Sequence, residues 1–201
     1  MKTAVPTDPK SPEFLALEPH LTAEWFVTEL SDEFPWARRH RLLWFVSKGD
    51  RSLSATFALP AGKPVVCLSG REGLRDLSTV LVDELGSIPG TLGVEALASA
   101  IRWLRTAESG ALLCPQRLRG RMPLHAWFAK YDEEREQRFR RYCAPLAFER
   151  DERSGRFALE FFYLTPGGAI EKWNVEGTPA LLLRAERTEI EPQGSYRWPF
   201  E

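Results

Sequence analysis

The sequence predicts an α+β fold: two units, each a helix followed by an antiparallel meander of about three strands, with a pair of helices between them. Three observations lead there. A leucine stripe at Leu74, Leu77, Leu81 and Leu85 has the spacing of one helical face. The runs Arg41 to Ser47 and Ser52 to Leu59 are apolar, short and separated by a Gly-bearing turn. A second such pair, Arg156 to Leu164 and Ala169 to Gly177, flanks Thr165-Pro166-Gly167-Gly168, whose residues suit a hairpin turn.

Taken in order, residues 1–12 carry Pro6, Pro9 and Pro12 among polar residues and read as a disordered arm. A lobe over 13–106 follows. Thr22 is an acceptable N-cap, so a short helix is expected to carry Trp25, Phe26 and Leu30. In the strand 52–59, Leu53, Ala55 and Phe57 alternate with Ser52, Ser54 and Thr56, which predicts one apolar and one polar face. Pro64 to Leu68 is the third strand. Ser69-Gly70-Arg71-Glu72 has the S-x-x-E pattern of a capping box, and Gly86 stands where that helix should end. The next helix, about 94–106, places Leu97, Ala100, Ile101 and Leu104 on one stripe.

Residues 107–124 form an Arg-rich connecting segment, with Arg117, Arg119 and Arg121 among Pro115, Gly120 and Pro123. Residues 125–201 form the second unit, in which the lobes are free to merge into one domain. Its helix, about 124–143, has Leu124, Phe128, Tyr131, Phe139 and Tyr142 as a buried face. Glu134/Arg138 and Glu136/Arg140 are i,i+4 pairs in the favourable order. After the hairpin, Ala180 to Ile190 is a third strand, and GSYRWPFE closes the chain.

Composition narrows the function classes. The 201 residues carry a net charge of −1, so no overall field recruits nucleic acid or anionic lipid. No window approaches 18 apolar residues and the N-terminus lacks a signal-peptide core, which predicts a soluble, cytoplasmic protein away from membranes. Cys67, Cys114 and Cys143 are odd in number and far apart, so they imply neither a disulfide framework nor a zinc knuckle. His20, His40 and His125 have no second ligand at helical or turn spacing. No metal and no cofactor is therefore expected, and phosphate-cradling glycine motifs are absent as well.

Three function classes stay in play. An enzyme would have to assemble its site from scattered residues, for instance Cys114 with His125, because no nucleophile motif is present. Nucleic-acid binding would rest on Arg117, Arg119 and Arg121, whose spacing in a flexible loop suits phosphate contacts. The order helix, three strands, helix over 22–85 is also that of double-stranded RNA-binding domains, which place lysines where the last helix begins. Ser69-Gly70-Arg71-Glu72-Gly73 offers one base and one acid there, and the requirement is not met.

The leading expectation is a non-catalytic protein-binding module, such as an accessory subunit, adaptor or chaperone-like protein. Its partner is another protein or a second copy of the chain. The chain has 7 Trp, and 21 Arg against 6 Lys, and Trp, Tyr and Arg are the residues enriched at binding hot spots. Trp36 in Phe34-Pro35-Trp36 and Tyr196, Arg197, Trp198 and Phe200 in the tail fit no regular element, and these five are the candidate contact residues.

Overall fold

The computed structural model describes residues 25–49, 54–60, 65–70, 73–115 and 133–196. Among them are three helices and two antiparallel sheets, of four and five strands. The fold is α+β, as the sequence predicts, although each sheet exceeds three strands. The arm 1–12, residues 116–124 of the connecting segment, the first turns of the expected helix 124–143 and the tail 197–201 lie outside the described residues. No helix among those described is long and apolar enough to cross a membrane. The chain divides into two compact units: Met1–Leu92, Ala100–Ala107 and Pro179–Leu181 form one, and Gly93–Ser99, Glu108–Thr178 and Leu182–Glu201 the other.

The first sheet runs in the order β1 (Trp25–Glu29), β2 (His40–Ser47), β3 (Ser54–Pro60), β4 (Val66–Cys67). Its first strand corrects the expected helix at Trp25 and Phe26. The segment WFVTE is aromatic and β-branched, and it pairs with β2 residue for residue, from Trp25 opposite Ser47 to Glu29 opposite Leu43. Cross-strand pairing of such side chains outweighs a lone N-cap signal. The first unit therefore begins, among the described residues, with a strand.

Odd-numbered residues of this sheet share a face on which Val27, Leu43, Phe45, Phe57 and Leu59 form a buried cluster. The Phe45 and Phe57 rings meet edge to face with centroids 5.1 Å apart. The even face is not the polar one the alternation predicts. Thr56 and Ala58 are fully buried there, so β3 is enclosed on both sides.

The helices explain that enclosure. In α1 (Gly73–Leu85) the buried positions are Gly73, Leu77, Ser78, Val80 and Leu81, while Leu74 and Leu85 stand half-buried at the margins of the stripe. Gly86 adopts a φ of 77° and donates its N–H to the Val82 carbonyl, ending the helix where the sequence says it should. In α2 (Val94–Thr106), Leu97, Ala100, Ile101 and Leu104 are all fully buried. A helix leaves its last carbonyls without internal partners, and here the sheet and the turn after β4 supply donors. The Thr56 hydroxyl donates to the Leu104 carbonyl, the Gly70 N–H to Arg105 and the Trp44 indole N–H to Ala107.

The second sheet has the order β5 (Ala111–Leu112), β7 (Phe157–Leu164), β8 (Ile170–Thr178), β9 (Leu181–Glu191), with β6 (Ala147–Arg150) also on β7. One edge of β7 is shared: β6 pairs with Phe157 to Glu160 and β5 with Tyr163 and Leu164. The other edge pairs with β8 throughout, from Phe157 opposite Gly177 to Leu164 opposite Ile170. The turn between them is closed by Gly168 N–H to the Thr165 carbonyl and by the Thr165 side chain accepting from Ala169. Against the turn end of this sheet packs α3 (Glu133–Tyr142), whose buried Phe139 joins Leu113, Leu164, Ile170 and Tyr196 in one core cluster.

Candidate functional site

Among the described residues, three places that gather polar side chains stand out. The first is the end of α1, where the helical phase turns Glu84 inward and leaves its side chain 2% exposed. A carboxylate so enclosed needs donors in place of water. The segment entering β2 provides four: the backbone N–H groups of Arg38 at 2.8 Å, Arg39 at 2.7 Å and His40 at 2.8 Å, and the His40 Nδ1 at 2.8 Å. Burial pushes the Glu84 pKa up, but the hydrogen bonds from Arg38, the His40 ring, Arg39 and the His40 backbone prevail and hold it below its ordinary value.

Asp83 stands on the other side of the ring, its Oδ2 3.9 Å from His40 Nε2, and its carbonyl accepts from the Arg39 guanidinium at 2.8 Å. A carboxylate holding Nδ1 is one half of a nucleophile-activating arrangement. The other half is missing among the described residues, where no Ser, Thr or Cys side chain hydrogen-bonds to Nε2. The group acts as a clasp that ties residues 38–40 to the helix.

The second place is the stretch 194–196, after β9. Tyr196 is 3% exposed, with its ring 5.0 Å from that of Phe139. Its backbone N–H donates to the Gly168 carbonyl at 3.0 Å, and Gly194 donates to Gly167 at 2.8 Å, so residues 194–196 lie along the β7–β8 turn. The Arg135 guanidinium donates to the Ser195 carbonyl, and the Tyr142 hydroxyl donates to Glu191 at 2.9 Å. Burial, with Glu191 and Tyr142 nearby, pushes Tyr196 up to about 12. Burial beside Cys114 likewise pushes Cys143 up to about 12, which makes it a poor nucleophile.

The third place is β9. Among the described residues it ends the strand order, with β8 on one side alone. Leu181 and Leu183 are 38% and 43% exposed, and Arg184, Glu186, Arg187, Thr188 and Glu189 are exposed as well. Its charges alternate in sign and pair locally: Arg184 bridges Glu186 at 2.6 Å and Glu176 at 3.7 Å, and Arg187 reaches the buried Glu171 at 3.2 Å. The other oxygen of Glu171 accepts from the Trp173 indole at 2.9 Å. Farther from that edge, over β6, β7 and β8, the sheet carries an open depression at Ala147, Ala158 and Asn174, rimmed by Glu149, Glu160 and Glu176. Lys172 bridges Glu160 at 2.9 Å, so the rim is partly neutralised.

Of the residues singled out by sequence, Trp36 is half-buried with its ring 5.7 Å from Phe34, and Tyr196 belongs to the core of its own unit. Cys114 is fully buried. Arg197, Trp198, Phe200, His125 and the trio Arg117, Arg119 and Arg121 lie outside the described residues. Among those described, no group of three or more His, Cys, Asp or Glu side chains could hold a metal ion. Sequence reading passed over Glu84 and the edge of β9. A glutamate in a helix carries no mark of a donor set 44–46 residues away, whereas the alternating charges of Arg184 to Glu189 were a usable signal. Comparison of the chain with protein-family models, with curated proteins and with solved structures finds no match.

Proposed function

We propose that the chain is a non-catalytic protein-binding module, an accessory subunit, adaptor or chaperone-like protein, that takes an extended segment of its partner alongside β9. One observation carries this reading, the length of β9 against the other sheet edges. One way in which natural sheets guard exposed edges is to keep them very short, because unpaired N–H and C=O groups are templates for another chain. Among the described residues the remaining edge strands follow that rule, at 5 residues for β1, 2 for β4, 2 for β5 and 4 for β6. At 11 residues β9 departs from it, and no proline interrupts the strand. Strand addition draws its affinity from main-chain hydrogen bonds and needs no catalytic group.

The test is affinity capture from a nuclease-treated native lysate by wild type, Arg187→Pro and Thr188→Pro, each checked for its thermal transition. Neighbouring residues of a strand point their N–H groups to opposite sides, so one of the two prolines faces β8 and the other the open edge. The variant that keeps the wild-type melting temperature is expected to lose the captured partner. Retained capture by that variant would remove β9 as the docking edge.

A further inference from the structure

We infer that the segment paired along β9 is β9 of a second copy, antiparallel, with Ala185 on the two-fold axis. The inference rests on the docking reading above and adds the identity of the partner. In an antiparallel pair, residues directly opposite point to the same face. A two-fold axis normal to the sheet therefore passes through a residue, which faces its own copy. With Glu186 or Arg187 on the axis, a charge would meet its own kind, which disfavours pairing. With Ala185 on the axis, Arg184 faces Glu186 of the second copy and Glu186 faces its Arg184.

That register gives two reciprocal ion pairs from side chains about half-exposed in the single chain, 52% for Arg184 and 58% for Glu186. It sets the exposed Leu183 opposite Arg187, whose stem covers apolar surface. An axis at Thr188 also opposes unlike charges, Arg187 with Glu189, but it sets Glu186 opposite the apolar Ile190 and leaves the exposed Leu183 without a facing residue of β9. Alternating charge is thus no barrier to self-association, as a run of one sign would be. The added contact is a strand ladder and not a broad apolar interface, so association is of the weak, concentration-dependent class.

Sedimentation velocity of the full chain over a concentration series, with oxidative cross-linking of Ala185→Cys and Thr188→Cys, tests this. A reversible dimer is expected, with Ala185→Cys cross-linking readily and Thr188→Cys and the parent chain poorly. Arg184→Glu and Glu186→Arg should each weaken the dimer about tenfold, by setting like charges opposite at both pairs. The double variant Arg184→Glu/Glu186→Arg should restore it. A chain that stays monomeric throughout overturns the second-copy proposal, and if the two prolines still discriminate capture, the docking edge survives that failure. Cross-linking through Thr188→Cys in place of Ala185→Cys overturns the register.

Discussion

Tyr196 and Gly168 are joined backbone to backbone, the Tyr196 N–H donating to the Gly168 carbonyl at 3.0 Å. A methyl group on Gly168 would lie 1.9 Å from the Tyr196 carbonyl oxygen, and the φ of 78° is one that other residues adopt only with strain. Gly168→Ala should therefore destabilise the chain by at least about 2 kcal/mol. Gly194 has the same φ with nothing near its missing methyl, so Gly194→Ala should cost about 1 kcal/mol. Urea midpoints of the two variants check this, and equal losses would mean that Tyr196 does not press on the turn.

The clasp at Glu84 should fail in acid. Its folded pKa lies below the ordinary 4.5, so its stabilisation is complete above the unfolded pKa and is lost as pH falls through the folded value. Wild type should lose stability below about pH 4.5 more steeply than Glu84→Gln. At neutral pH that substitution should cost about 2–3 kcal/mol, because a neutral amide replaces a buried charged acceptor. Thermal unfolding from pH 3 to 7 measures both, and parallel curves would contradict the role given to Glu84.

Thr56→Val keeps the shape of the side chain and removes the donor to the Leu104 carbonyl. Thr56 is fully buried, so the carbonyl would be left without that donor, at a cost of about 1–3 kcal/mol. A change below about 0.5 kcal/mol in a denaturant titration would show that the sheet does not cap the helix through this hydroxyl.

Phe139→Ala should cost about 3–5 kcal/mol, since the ring is fully buried against Tyr196. Glu134→Ala removes a surface ion pair with Arg138 and should cost less than about 1 kcal/mol. Similar losses from the two, read from chemical unfolding, would place the buried face of α3 elsewhere.

What could be read in advance followed the range of each signal. The helix ending at Gly86, the stripe Leu97 to Leu104 and the hairpin around Gly167-Gly168 are written in neighbouring residues, and each appears where periodicity and turn chemistry put it. Trp25 to Glu29 satisfied a helical and an extended pattern equally, and pairing with residues 43–47, distant in sequence, decided between them. The strands Ala111–Leu112 and Ala147–Arg150 are too short to show alternation. Leu181 to Glu191 reads as a strand from its own residues, but its place at the end of a sheet is a property of topology, so the candidate site was legible as an element and not as an edge.

The most direct test of that edge is residue-resolved amide hydrogen exchange along Leu183 to Glu189, by NMR, in a chain diluted until it is monomeric. A strand bonded on one side protects every second N–H and leaves the others to water. Alternating slow and fast exchange along β9, with the fast amides slowing as the chain is concentrated or a partner is added, is the expected result. Uniform protection of all these amides in the dilute monomer would mean that the edge is already occupied, and it would contradict the docking role.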